Sequence, residues 1–173
     1  MNNKNKIIEK EKMLLNKIHV LILLFIICLI LSGITAFPIE TELQIANNNL
    51  VLLPEFLRKW ISDVFQAVHT TNSNFPFLSY GTDWLAFAHL VIAIAFIGPL
   101  KDPIKNIWVI QFGIIACFMV FPLALIAGYI RKIPFYWQLI DCSFGVFGFI
   151  LLYVIYRLIK DMEKMKTTVK SSV

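Results

Sequence analysis

Apolar residues in this chain come in long blocks and not in an amphipathic rhythm. Four blocks stand out: "IHVLILLFIICLILSGITAF" (18–37), "DWLAFAHLVIAIAFIGPL" (83–100), "IWVIQFGIIACFMVFPLALIAGYI" (107–130) and the run 135–158 that opens "FYWQLIDCSFG". At about 1.5 Å per helical residue, each reaches across the roughly 30 Å hydrocarbon core of a bilayer. The pattern predicts an all-α integral membrane protein with four transmembrane helices.

The punctuation agrees. Pro38 ends the first block, Gly98 and Pro99 mark the end of the second, and Thr82 or Asp83 is placed to cap its start. Asn106 is placed to cap the third block, and Pro122 should kink it. "KDPIKN" and "RKIPF" read as tight turns. Four helices joined by short turns form an antiparallel bundle.

Segment 38–82 breaks the apolar pattern. "IETELQIANNNLV" reads as an exposed loop, and "TTNSNFPFLSYGT" as a turn-rich connector. Between them, 53–69 sorts cleanly on a helical wheel. Phe56, Leu57, Trp60, Ile61, Val64 and Phe65 share one half, and Glu55, Arg58, Lys59, Asp63, Gln66 and His69 the other. This is an amphipathic helix that covers apolar surface at the membrane, with Pro54 in its first turn.

Charge fixes the threading. The tail 1–17, the "KDPIK" turn and the tail 159–173 with adjoining Arg157 hold 12 of the 16 Lys and Arg residues. The two opposite segments hold the other 4: Arg58, Lys59, Arg131 and Lys132. By the positive-inside rule both termini face the cytoplasm and the amphipathic helix is external. Trp84, Tyr129, Tyr136 and Trp137 then form an aromatic belt at the outer face. A cleaved signal peptide is the competing reading of 18–37, but the leader is long and partly acidic, and Ile34 fits a cleavage site poorly.

Composition sharpens the class. With 58% hydrophobic and 16% charged residues, the chain fits one membrane domain and leaves no room for a separate catalytic one. The net charge of +5 sits in lysines that flank apolar spans, which points to membrane lipids and away from nucleic acid. Asn-, Lys- and Ile-rich ends suggest an AT-rich genome and a bacterial inner membrane. Cys28, Cys117 and Cys142 form no C-x-x-C pair and read as buried thiols. There is no P-loop, G-x-S-x-G or dinucleotide fingerprint. A bis-histidine haem needs two histidines at one depth; His19 lies at the opposite face from His89, and only His69, on the outer helix, could join His89. His69, His89, Asp83 and Asp141 lack local zinc-ligand spacing. No cofactor and no metal are expected.

The exception to the apolar blocks is Asp141, since an ionisable group in a bilayer costs several kcal/mol unless paired, hydrated or neutralised. Asp141 and His89 each lie six residues inside the outer end of their helices, about 9 Å deep. Gln138, Asp141, Gly145 and Gly148 share a stripe, as do Ala86, His89 and Ala93; small residues favour close helix approach. A His89–Asp141 contact joined by Gln138 and by Ser32 or Thr35 is expected, with Arg131 and Lys132 as alternative partners of the carboxylate. His89 and Asp141 are the candidate catalytic residues; Gln138, Asp141, His89 and Ser32 are the candidate ligand-binding residues. The expected function is non-enzymatic: an outward-facing polar pocket that binds a small amphipathic ligand or supports a partner complex, with a homo-oligomer or a membrane protein as partner. The alternative is an enzyme using His89 and Asp141 as an acid/base pair on a lipid-like substrate.

Overall fold

The structure, a computed structural model, describes residues 3–49 and 53–171. Residues 1–2 and 172–173 of the expected tails, and 50–52 of the expected loop, lie outside the described residues. Among the described residues every regular element is helical. In chain order these are α1 (Asn3–Ala36), α2 (Ile39–Asn48), α3 (Glu55–Asn74), α4 (Tyr80–Ala95), α5 (Ile97–Lys101), α6 (Ile107–Pro122), α7 (Gly128–Ile130) and α8 (Phe135–Ser171). A 3₁₀ turn at Pro76–Leu78 precedes α4, and a π turn at Leu123–Ala127 joins α6 to α7.

Four helical stretches are long and apolar enough to cross a membrane: Ile7–Ala36, Pro76–Lys101, Ile107–Ile130 and Phe135–Thr167, with mean hydropathies of 1.8 to 2.8. The flanking residues set their limits. No proline interrupts α1 until Pro38, whose ring blocks a continuing helix and biases Phe37 away from helical backbone. Pro134 precedes α8, which then runs well past the expected end at Leu158. Its extension has no breaker and keeps an inward stripe: Ile155 and Ile159 are 0% exposed and Met162 is 1% exposed.

The described residues fall into two compact units, one from Met1–Ile26 with Ile94–Val173, the other Ile27–Ala93. In the first, the start of α1 meets the end of α8. Lys166 Nζ lies 3.1 Å from Glu11 Oε1, and Ile18 and Ile22 are fully buried. Further along, α8 runs antiparallel to α6 at close range. A Cβ on Gly145 would stand 2.8 Å from the Cys117 carbonyl oxygen, and one on Gly148 2.8 Å from Cys117 Sγ. A Cβ on Gly113 would stand 2.7 Å from a Leu152 methyl. This close approach puts the two helices in dispersion contact along their length. Phe25 and Phe96 add a ring contact at 4.6 Å.

In the second unit, α1 and α4 meet at Gly33, where a Cβ would lie 2.9 Å from the Ala86 carbonyl oxygen. Ala86 and Ala93 are buried at 0% and 2% exposure. Helix α3 keeps the wheel read from the sequence. Leu57, Trp60, Ile61, Val64 and Phe65 are half-buried, while Arg58, Lys59, Asp63 and Gln66 are exposed.

Several local expectations change. The loop expected after Pro38 is helix α2, which packs along α3. Thr82 and Asp83 are not caps, because α4 begins earlier, at Tyr80. Asn106 holds the N-cap position of α6, but its amide turns back and donates to the carbonyls of Gly98 (3.1 Å) and Asp102 (2.9 Å). It thereby closes the "KDPIKN" turn instead of capping the helix. Gly98 and Pro99 do not end the second span; they form the short α5. Pro54 precedes α3 at its N-cap.

Candidate functional site

Helix α7 ends in a Schellman turn: the Ile133 N–H donates to Gly128 O at 2.9 Å and the Lys132 N–H to Tyr129 O at 3.2 Å. The turn delivers the chain to Pro134 and α8. One turn into α8, Gln138 folds back over it. Its Nε2 donates to Ile133 O at 2.8 Å, and its side chain lies where a Cβ on Gly128 would be, 2.7 Å from Gln138 Cδ. Gln138 is 6% exposed. This expected ligand-binding residue thus gives one of its two amide N–H donors to the backbone turn.

Asp141 lies one turn further on and is half-buried. It has no hydrogen bond or ion pair with a described side chain of its own unit; Arg131 and Lys132, its alternative partners, are exposed. Its surroundings follow from the register of α8 on α6. Gln138 stands against Gly128, Gly148 against Cys117 and Leu152 against Gly113, so Asp141 is level with Ala124. Ala124 belongs to the π turn that follows Pro122. Pro122 has no N–H to donate to the Phe118 carbonyl, and the π turn follows it directly. Asp141 is therefore level with a small residue in a locally widened turn. The sequence read a proline kink at Pro122 but not the π turn beside the aspartate.

His89 belongs to the other unit and is half-buried on the stripe between Ala86 and Ala93. Its Nδ1 lies 2.8 Å from Leu85 O. A carbonyl only accepts, so Nδ1 is the donor in this bond, which in a neutral tautomer leaves Nε2 as the acceptor. Ser32 is exposed on α1, and its carbonyl accepts from Thr35 Oγ1 at 3.4 Å.

A second polar group, which sequence reasoning missed, joins α2 to α3. Glu40 Oε1 lies 2.6 Å from His69 Nδ1, and Asn72 Nδ2 donates to Glu40 Oε2 at 2.5 Å. Ser79 Oγ donates to Asn72 Oδ1. The Asn72 hydrogen bond, then that of His69, holds the Glu40 carboxyl below its ordinary value. Phe65 stacks on the His69 ring at 5.7 Å. His69 is thus engaged by a carboxylate. Among the described residues no three His, Cys, Asp or Glu side chains converge as metal ligands.

No protein-family model matches the chain, and no curated protein or solved structure matches it either.

Proposed function

We propose that this chain is a non-enzymatic multipass membrane protein with an outward-facing polar pocket at Asp141 that binds a small amphipathic ligand. The observation that carries this reading is the half-buried carboxylate, without a partner in its own unit, level with the π turn. A carboxylate in an apolar span needs a donor or water. A ligand with a hydroxyl or amine on an apolar body would supply the donor. In this reading the four apolar stretches form an antiparallel bundle in a bacterial inner membrane, both termini are cytoplasmic, and α3 lies on the outer surface.

The test is to purify wild type and Asp141→Asn in mild detergent and to identify co-purifying small molecules by mass spectrometry. Asn keeps the shape and removes the charge. A charge-assisted hydrogen bond is worth about 1.5–3 kcal/mol, so retention of the ligand should fall about tenfold or more. Wild type carrying only bulk phospholipid would sink the reading.

One observation favours a second reading, an acid/base enzyme acting on a lipid-like substrate. The His89–Leu85 hydrogen bond fixes the tautomer and leaves Nε2 as a base. That reading requires turnover that is lost in both His89→Ala and Asp141→Asn.

A further inference from the structure

Where the start of α1 meets the end of α8, a groove of about 780 Å³ opens. That is the size of a small-molecule site. It lies within the first unit and is independent of Asp141. Along α1 the lining runs Glu9, Lys12, Met13, Asn16 and Lys17, and then Val20 and Leu21. Val154 and Leu158 of α8 complete the apolar end. Every charged lining residue of α1 thus lies at or before Lys17 and only apolar ones beyond it, with Met13 an apolar residue among the charged ones; Lys12 to Val20 spans about 12 Å along the axis.

The lysines differ in what engages them. Lys160 is paired with Glu163 at 2.8 Å and Lys166 with Glu11 at 3.1 Å. Lys12 and Lys17 make no ion pair among the described residues, although both line the groove. With Glu9 opposing them, the polar end carries a net charge of +1. That complements the single negative charge of a phosphodiester. The apolar end begins where the hydrophobic run of α1 begins, at Ile18.

The geometry points to a specific site for one anionic phospholipid in this groove. Lys12 and Lys17 clasp the phosphate by charge-assisted hydrogen bonds. The Asn16 amide can donate to an ester carbonyl of the glycerol backbone. One acyl chain lies on Val20, Leu21 and Val154. Lipid in this position also shields the apolar edge between α1 and α8 just below the Lys166–Glu11 pair.

The full chain, purified in detergent, is titrated with phosphatidylglycerol or phosphatidylcholine, and bound lipids are counted by native mass spectrometry. Phosphatidylglycerol should bind about tenfold more tightly than phosphatidylcholine, and Lys12→Ala/Lys17→Ala should abolish the difference. Val20→Trp keeps every charge but fills the apolar end, and should weaken phosphatidylglycerol binding with helicity unchanged. Lys10→Ala/Lys101→Ala removes two exposed lysines outside the groove and should leave binding unchanged. Equal binding of the two lipids by wild type would overturn the site. So would an equal loss in the Lys10/Lys101 variant, which would mean a diffuse basic surface.

Discussion

Lys132 is, among the described residues, the one non-glycine at positive φ, at 58°. It holds the position of the Schellman turn where glycine usually stands, because a Cβ in left-handed backbone crowds the following carbonyl. That crowding costs roughly 1–2 kcal/mol. Lys132→Gly should therefore raise stability by about 1 kcal/mol once the greater chain freedom of glycine when unfolded is offset. Thermal unfolding in detergent, followed by helical circular dichroism, checks the sign; a lowered midpoint would mean that the lysine side chain contributes more than its backbone costs. The same turn explains Gln138. The sequence marks it as a polar residue on the inward stripe, and so it is, but its amide serves the turn. Nothing local in "YWQLID" distinguishes an amide aimed at a ligand from one aimed at the carbonyl five residues back.

At the scale of elements, the α2–α3 pair depends on Glu40. Its folded pKa lies below the ordinary 4.5, so the carboxylate form is the one that folding favours. The sign follows from linkage: this contribution is complete above the unfolded value near 4.5 and is lost as pH falls through the lower folded value. Acidification below about 4.5 should loosen α2 from α3, and Glu40→Gln should be loosened already at neutral pH and lack that acid step. Hydrogen exchange of the α2 amides, wild type against variant at each pH, reads this directly; an acid step that persists in Glu40→Gln would assign it to another group. Helix α2 was legible in part. Pro38 before it and Glu40 and Glu42 in its first turn are helix-start signals. The Asn run and the lack of an apolar block outweighed them. The Glu40–His69 hydrogen bond was not legible, because residues 29 apart meet only through the packing of two helices. The four apolar stretches needed no such packing to be seen: each is a continuous run whose length alone suits a bilayer.

For the whole molecule, length and charge combine into a prediction of threading. Helix α8 has 37 residues and α1 has 34, about 55 and 51 Å at 1.5 Å each. Both exceed the roughly 40–45 Å of a bilayer with its headgroups, so on the proposed membrane threading each would carry one end into water. Those ends are the lysine-rich ones, and Lys166 and Glu11 hold them side by side. An even number of crossings is the arrangement that satisfies this pairing together with four spans. On the proposed threading the positive-inside bias predicts this pair in the cytoplasm and Asn47, at the end of α2, outside. With the three native cysteines replaced by alanine, Asn47→Cys should react with an impermeant maleimide on intact cells, and Lys105→Cys, in the α5–α6 turn, only after permeabilisation. The reverse order would invert the whole molecule and turn the pocket proposed at Asp141 toward the cytoplasm. Labelling of both positions from outside would mean that the chain does not cross between them an odd number of times, and the helix α4 with α5 would have to lie on the membrane instead of through it.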